Sequence, residues 1–351
     1  MSVATSLSNP GISASEPTFA DLITSRLPVL LPHHPHVISI MPIAAPGGQH
    51  ANVRRVVLST GETAIVKRHI FAFTTAGQTY DLLTVEEAVA AFLRTAGCAV
   101  SNVLGIDREA GLVVFDDAGE MTLDDTVQTS SPFERSRLAS SALDAFVQIQ
   151  DALIHQNDLT EELVASGCDR ATIQETFVSL CDHLTPDRIR PLVTSQVTDS
   201  DLSRIQDLIR SLAAKPLYLG PTDYNARNIV VSHDGKLCFL EWAKVGFDWP
   251  ERRIAQYLTS LGSGRAGALP RTLVDRWLVD RYGETMSWTD PASAVSDLDA
   301  HQLIYYILLA LRWQAFHADL PKGIRNELVT PLSNNSAIRN LRGMFVDSGQ
   351  K

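Results

Sequence analysis

The sequence predicts an α+β protein with two lobes, and three observations carry this prediction. Short β-type runs separated by turns fill residues 37–115, with one helical stretch between them. Helical periodicity dominates from about Ser131 onward. A compact group of short strands interrupts the helices at residues 217–242. Strands first and helices later are typical of a small antiparallel sheet followed by a larger helical unit.

The predicted division of the chain follows changes in composition. Residues 1–18 are rich in Ser, Ala and Pro, which is typical of a mobile leader. Residues 19–118 carry most of the β-type runs, and residues 119–351 carry most of the helical stripes. We therefore expect a leader, a small amino-terminal lobe and a larger carboxy-terminal lobe with these boundaries.

Composition and charge favour a globular protein without nucleic-acid or membrane partners. Of 351 residues, 45% are hydrophobic, and the formal net charge is −10, which disfavours binding to a phosphate backbone. The longest apolar run, Ile304 to Leu311, is too short to cross a bilayer. The four cysteines lie far apart without metal-ligand spacing. We expect a cytoplasmic protein, and the sequence leaves the oligomeric state open.

The small lobe begins as a β-meander. The runs VISIMPIA, ANVRRVVLS and TAIVKRHI are separated by turns at Gly47-Gly48 and at Thr60-Gly61. An amphipathic helix follows from about Thr84, which is the expected N-cap. Two further runs, NVLGID and LVVFDDAG, complete the predicted sheet.

The large lobe opens on a helix-start signal. The segment SPFE at Ser131 has the pattern of a capping box with Pro at the first helical position. Helices dominate thereafter, except where LYLG, NIVVS and LCFLEW predict short strands around a loop. Loops that a rigid scaffold holds in place often carry functional side chains.

That loop carries the first residues that point to chemistry. Asp223 and Asn228 lie five positions apart in GPTDYNARNIVV, on a turn that leads into an apolar strand. Phosphoryl transfer uses such a pair, because a carboxylate can orient an attacking hydroxyl while an amide oxygen helps to hold magnesium. The same spacing also occurs in turns whose Asp and Asn only cap backbone amides.

Two further side chains fit the same chemistry. Glu241 ends the run FLEW one hairpin later, where a second metal ligand would stand, although an edge-strand glutamate in solvent is the alternative. Lys67 ends the run AIVK, and a lysine on an interior strand needs a carboxylate partner. Glu86 is the first candidate for that partner and Glu87 the alternate. A lysine that snorkels to the surface is the other interpretation.

The order of these features favours the functional interpretation. A glycine turn, a strand lysine, a helix glutamate, an acidic strand exit at Asp116-Asp117 and an Asp/Asn loop with a later carboxylate all appear in the order found in kinases. Independent coincidences rarely produce such an order.

On these motifs the chain resembles the aminoglycoside phosphotransferase and choline kinase family, whose fold is protein-kinase-like. The family's H-G-D-x-x-x-x-N loop and I-D-W strand end are similar to residues 221–228 and 240–242. The resemblance extends from about residue 37 onward, through PGGQHAN in the small lobe and GFDWPE in the large one. The chain has Pro221 where the family has His, and Glu241 where the family has Asp.

The resemblance implies a role for each matching residue. Asp223 would be the catalytic base, and Asn228 and Glu241 would bind Mg²⁺. Lys67 would hold the ATP phosphates, with Glu86 fixing its position. The remaining nucleotide-binding positions, in the turn over the phosphates and at the hinge beside adenine, would be Gly47, Gly48, Asp116 and Ala118.

The implied activity is ATP- and Mg²⁺-dependent transfer of the γ-phosphate to a hydroxyl of a small molecule, such as an aminoglycoside, an amino alcohol, a sugar or a biosynthetic intermediate. Two other hypotheses stay open. A catalytically impaired kinase-fold protein would bind nucleotide or a small ligand without transfer, and Pro221 and Glu241 motivate this alternative. An unrelated α+β interaction protein is the third. The candidate partners of a cationic acceptor are Asp248, Glu251, Glu284 and Asp319. Each of them could instead be a surface charge.

Overall fold

The computed structural model of the chain describes residues 18–45, 48–69, 73–75, 78–155, 163–165, 167–193, 197–232, 234–260, 276–316 and 320–345. The predicted leader lies outside the described residues except for Thr18, which is the N-cap of the first helix. Gly47 of the predicted glycine turn also lies outside them.

The described chain alternates strands and helices in its first third and is mainly helical afterwards. The strands are β1 (Val37–Ala45), β2 (Gly48–Leu58), β3 (Thr63–Arg68), β4 (Phe73–Thr75), β5 (Gln78–Tyr80), β6 (Val103–Asp107), β7 (Leu112–Asp116), β8 (Met121–Thr122), β9 (Tyr218–Pro221), β10 (Ile229–Val231), β11 (Leu237–Phe239) and β12 (Val245–Asp248). The helices are α1 (Phe19–Leu30), α2 (Leu82–Thr95), α3 (Leu123–Thr129), α4 (Pro132–Ile154), α5 (Arg170–His183), α6 (Pro186–Ile189), α7 (Asp199–Ala213), α8 (Pro250–Ser260), α9 (Arg276–Thr285), α10 (Pro291–Phe316), α11 (Lys322–Val329) and α12 (Ser336–Arg342).

The amino-terminal part is a five-stranded antiparallel sheet in the spatial order β1-β2-β3-β7-β6. Alternate residues of β3 face opposite sides, as the two-residue period of a strand requires. Ala64 and Val66 pack against α1 in one apolar cluster. Ile65 packs on the other side, in a cluster that includes Leu83 of α2. Lys67 is two positions from Ile65, so its side chain lies on the α2 side of the sheet.

Helix α2 begins three residues earlier than the sequence predicts. Strand β5 ends at Tyr80, and Asp81 follows it directly as the N-cap. The Asp81 carboxylate accepts hydrogen bonds from the Leu83 and Thr84 amides, at 3.1 and 3.3 Å. The prediction of Thr84 as the cap is therefore wrong, because Thr84 already lies in the first turn and donates its hydroxyl to Asp81.

The carboxy-terminal part contains two apolar cores that meet along α10. One core joins α2, α4 and α9 to the strand island, and the other joins α5, α7, α11 and α12. The predicted start at Ser131 is confirmed, since its hydroxyl accepts the Glu134 amide and Pro132 opens α4. Among the described helices, none is both long and apolar enough to cross a membrane.

The predicted strand island forms two small sheets. Strand β10 pairs with β11 and with β8, which connects the first sheet to the chain segment leaving β7. Strand β9 pairs antiparallel with β12, with Pro221 opposite Val245. The loop between β9 and β10 therefore lies against the loop between β11 and β12.

Candidate active site

A cleft lies between the five-stranded sheet and the helical part, and it holds two adjoining cavities of about 420 and about 350 Å³. Side chains from both parts of the chain line both cavities at their junction. These shared residues are His50, Val53, Lys67, Asn228 and Glu241. Four further site residues predicted from the sequence each line one of the two cavities. Glu86, Asp116 and Ala118 line the larger cavity, and Asp223 lines the smaller one.

The larger cavity is lined by apolar and polar side chains together, as small-molecule pockets usually are. Its apolar side chains come from both lobes, and the chain segment that follows β7 also lines it. Ile65 and Phe115 line it from the sheet, and Val230 and Leu240 line it from the strand island.

Lys67 is the centre of an ion-pair network at the junction of the cavities. Its Nζ lies 3.1 Å from Oε1 of Glu86 and 3.0 Å from Oε2 of Glu241. Nε2 of His69 lies 2.6 Å from the other oxygen of Glu86. Glu86, the first candidate, is therefore the partner of Lys67. Glu87 pairs instead with Arg108 at the surface.

The burial of this network fixes its electrostatics. Glu86 is only 1% exposed. Burial alone would raise the pKa of Glu86, but the charge of Lys67 and the hydrogen bond with His69 outweigh it and hold this pKa below its ordinary value. Burial would lower the pKa of Lys67, but Glu86 and Glu241 outweigh it and raise this pKa. Both groups are therefore charged at neutral pH.

The loop between β9 and β10 brings Asp223 and Asn228 into contact. Nδ2 of Asn228 donates to the Asp223 backbone carbonyl at 3.1 Å and to its carboxylate at 3.3 Å. The Asn225 side chain accepts from the Arg227 amide, which closes a short 3-10 turn in the loop. Nε2 of Gln256 on α8 donates to Oδ1 of Asp223 at 3.2 Å. The carboxylate is thus held from both sides at the wall of the smaller cavity.

The sequence predicted that Glu241 ends a strand, and this prediction is wrong. Strand β11 stops at Phe239, and Glu241 follows two residues later with φ 69°. A non-glycine residue in this left-handed region is strained, and such strain is found at functional positions. Its side chain is 47% exposed and bends toward Lys67 instead of lying in a sheet edge.

An ion pair ties the sheet to the chain segment after β7 that lines the larger cavity. Arg55 on β2 donates to both carboxylate oxygens of Asp117, at 2.6 and 3.0 Å, and to the Gly119 carbonyl. This bidentate ion pair joins β2 to the chain segment after β7. Asp116 accepts the Asn102 amide at 2.7 Å, which fixes the same segment to β6.

Comparison with known proteins identifies the fold. No protein-family model and no curated protein sequence matches the chain. Among solved structures, the GDP complex of wild-type aminoglycoside 2'-phosphotransferase-IIIa is similar at a TM-score of 0.50 and 10% identity, over 93% of this chain and 97% of that one. The chain has the kinase-like fold of the aminoglycoside phosphotransferases.

Two further solved structures are similar to this chain. Amicoumacin kinase hAmiN, in complex with AMP-PNP, Ca²⁺ and Ami, is similar at a TM-score of 0.50 and 12% identity, over 84% of this chain and 90% of that one. Choline kinase LicA from Streptococcus pneumoniae is similar at a TM-score of 0.45 and 13% identity, over 88% and 94%. The predicted fold class is confirmed.

The strands on either side of the turn between β1 and β2 contribute side chains to the cleft. His50 and Asn52, which follow the turn, line the smaller cavity. Gly48 begins β2 with φ 154° and is not among the residues that line either cavity. The described residues near this turn that line the larger cavity therefore include Pro42, Ile43 and Ala44 of β1 as well as side chains of β2.

Of the four carboxylates that the sequence suggested for a cationic acceptor, the three that the structure describes line neither cavity of the cleft. Glu251 is buried and accepts from the Tyr282 hydroxyl and the Trp288 indole, at 2.8 and 3.3 Å. Asp248 pairs with Arg252. Glu284 lines a separate surface cavity beside α10, and Asp319 lies outside the described residues.

The sequence reasoning missed three residues that hold the site: Arg55, His69 and Gln256. For His69 a signal was present, because it lies two positions after Lys67 and therefore on the same side of β3. Arg55 and Gln256 act across 62 and 33 positions of sequence, and no local pattern marks such contacts.

Proposed function

We propose that the protein is an ATP- and Mg²⁺-dependent phosphotransferase that moves the γ-phosphate to a hydroxyl of a small molecule. The observation that carries this proposal is the convergence of Lys67, Asp223, Asn228 and Glu241 on two adjoining cavities of one cleft. The kinase-like fold and its small-molecule kinase neighbours support it.

In the proposed reaction, the acceptor hydroxyl oxygen forms a bond to the γ-phosphorus while the bond from that phosphorus to the β–γ bridging oxygen breaks. ADP leaves with the electron pair of that bond. Asp223 is the proposed catalytic base, because it lines the smaller cavity, where its carboxylate would accept the hydroxyl proton. Lys67, held by Glu86, is proposed to contact the phosphates.

The donor set fits Mg²⁺. Among the described residues, no group of three or more His, Cys, Asp or Glu side chains could hold a metal by itself. Magnesium instead takes one or two protein oxygens together with phosphate oxygens and water. Asn228 donates through Nδ2 to Asp223, which leaves its side-chain oxygen as an acceptor, and Asn228 and Glu241 both line the junction of the two cavities. The ion would neutralise charge on the transferring phosphate.

The larger cavity is the proposed nucleotide site. Its apolar walls would take the base, and backbone groups near Asp116 and Ala118 would meet the base edge. On this proposal, residues 19–118 form the nucleotide-binding lobe and residues 119–351 the catalytic and substrate-binding lobe. Gly48 and the neighbouring Gly47 are proposed to cover the phosphates. Because one neighbour was solved with GDP and another with AMP-PNP, both ATP and GTP belong in the test.

The acceptor is proposed to enter through the smaller cavity, beside Asp223. Charged side chains of both signs line that cavity, including Lys244 and Asp223, so its lining does not select a cation. A panel of aminoglycosides, amino alcohols, sugars and hydroxy acids therefore covers the proposed substrate class.

One observation favours nucleotide binding without transfer as a second candidate. Glu241 is a methylene longer than aspartate, has a left-handed backbone and is bound to Lys67. Metal binding through Glu241 would require its carboxylate to share or leave that contact. A protein in which this exchange fails would bind nucleotide and transfer nothing.

Phosphate transfer from ATP or GTP across the panel, followed by ³¹P NMR, tests the proposal. Wild type is expected to produce nucleoside diphosphate and a phosphorylated acceptor. Asp223→Asn should lower turnover by roughly 10² or more, because general-base assistance is lost, with nucleotide affinity within about twofold of wild type. Nucleotide binding without product from any acceptor would favour the second candidate, and equal loss of binding and turnover in Asp223→Asn would remove this residue as the base.

A further inference from the structure

Arg253 on α8 is a buried cation held without a carboxylate. Its side chain is 2% exposed, and among the described residues no Asp or Glu oxygen lies within ion-pair distance of it. Burial lowers the pKa of its guanidinium to about 10. A group this expensive to bury needs hydrogen-bond partners.

Those partners lie on both strands of the β9–β12 sheet. Nη2 of Arg253 donates to the Tyr218 carbonyl on β9 at 3.1 Å and to the Gly246 carbonyl on β12 at 2.7 Å. Nη1 donates to Oε1 of Gln150 at 2.8 Å, and Nε2 of Gln150 donates to the Leu219 carbonyl at 2.8 Å. One guanidinium therefore ties two strands to α4 and α8.

The close approach of the guanidinium leaves no room for a side chain at Gly220. A Cβ on Gly220 would stand 2.6 Å from Cζ of Arg253. Gly220 pairs with Gly246 in the strand register, so the guanidinium lies against the middle of the ladder. The β9–β12 pair of strands thus packs directly against this cation.

The two clamped strands lead directly to the two functional loops. Strand β9 ends at Pro221, two residues before Asp223, and β12 begins at Val245, four residues after Glu241. The Thr222 amide donates to the Lys244 carbonyl, which continues the ladder toward both loops. The separation of the two strands therefore sets the separation of the Asp223 loop from Glu241.

We propose that Arg253 is a positioning residue that fixes the spacing between the loop of Asp223 and Asn228 and the loop of Glu241. This inference rests on the proposed function, since it concerns the metal site that the two loops would form. If α8 only needed to pack at this point, an apolar side chain would fill the space without the cost of burying a charge.

Calorimetric titration of ATP in excess MgCl₂ and again in EDTA tests the inference. The readout is the ratio of the ATP Kd in EDTA to the ATP Kd with magnesium. Arg253→Met should lower this ratio by about tenfold, as loss of a residue that orients metal ligands does, with the Kd in EDTA nearly unchanged. Arg253→Lys should fall between, because a lysine donates from a single nitrogen and cannot reproduce the planar fork of Nη1 and Nη2 that spans these acceptors.

Arg342→Met is the matched control. Arg342 is 1% exposed and pairs with Asp299 in the other core, far along the chain from both loops. This variant should lose thermal stability and keep the full magnesium ratio. If Arg253→Met does not fold, Gln150→Met replaces it, because that change retains Arg253 and removes one of its acceptors.

Three outcomes decide the question. A reduced magnesium ratio in the Arg253 or Gln150 variant, with the ratio retained in Arg342→Met, supports the positioning role. A full ratio in every variant, with only thermal stability lost, overturns the role while the proposed function stands. A wild type that binds ATP no better with magnesium than in EDTA overturns the proposed metal site, and this inference with it.

Discussion

Neutralising Glu86 should destabilise the protein far more than neutralising its neighbour Glu87. Both glutamates lie on α2, but Glu86 is 1% exposed with two partners, and the side chain of Glu87 is 47% exposed with one. The pair Glu86→Gln and Glu87→Gln therefore makes the same chemical change at adjacent positions. The two variants differ only in burial and partners.

The expected magnitudes follow from the contacts. Glu86 accepts from Lys67 at 3.1 Å and from His69 at 2.6 Å, and a hydrogen bond to a charged group contributes about 1.5–3 kcal/mol. Glutamine keeps one acceptor oxygen, so Glu86→Gln should lower the free energy of unfolding by about 2 kcal/mol. Glu87→Gln should cost less than about 1 kcal/mol, because exposed ion pairs contribute little.

The pH dependence of the free energy of unfolding gives a second, independent test of the Glu86 ion pair. The folded-state pKa of Glu86 is below its ordinary value of 4.5. Its stabilisation is therefore fully present above pH 4.5 and is lost as the pH falls through the lowered folded-state value. The difference between wild type and Glu86→Gln should shrink in that acid range.

Urea unfolding without nucleotide, at neutral pH and in steps below pH 4.5, measures both the stability losses and their pH dependence. Equal losses in Glu86→Gln and Glu87→Gln would refute the account of a buried ion pair. A difference between wild type and Glu86→Gln that persists unchanged in acid would refute the ionised state of Glu86.

Three other predictions follow from the same geometry. Glu241→Gln should lower ATP affinity in MgCl₂ to about the value in EDTA, and calorimetry that finds the magnesium effect intact would exclude Glu241 as a ligand. Gly220→Ala should cost about 1–3 kcal/mol in urea unfolding, because the new methyl overlaps a buried guanidinium, whereas Gly343→Ala, which points into open space, should cost nothing measurable. Asp81→Ala should cost about 1 kcal/mol in thermal unfolding, and Thr84→Ala less, since the first residue caps α2. The reverse order would restore Thr84 as the cap.

Part of the convergence of charged residues could be predicted from sequence, because Lys67 lies near the end of a strand and Glu86 lies on one face of a helix. Lys67 and Glu86 had to meet once α2 packed on the side of β3 that carries Lys67. Asp223 and Asn228 were close in sequence, and a loop between strands kept them together. Periodicity and strand ends are local features that survive folding.

The remaining details depend on contacts that no local pattern records. The cap of α2 was misplaced because β4 and β5, which end immediately before Asp81, were not recognised. Glu241 was placed at a strand end because its run is apolar and extended, but its left-handed backbone and its contact with Lys67 arise only when the lobes meet. Arg253 and Gln150 are 103 positions apart.

The central claim is that nucleotide binds in the cleft at Lys67. Calorimetric titration of ATP with magnesium into wild type, Lys67→Ala and Lys236→Ala tests it most directly, because Lys236 is an exposed lysine on the β10–β11 turn and serves as the matched control. The account predicts binding by wild type and Lys236→Ala, and affinity at least about tenfold lower in Lys67→Ala, since a charged contact to phosphate is lost. Absence of ATP binding in wild type, or equal affinity in all three proteins, would contradict it.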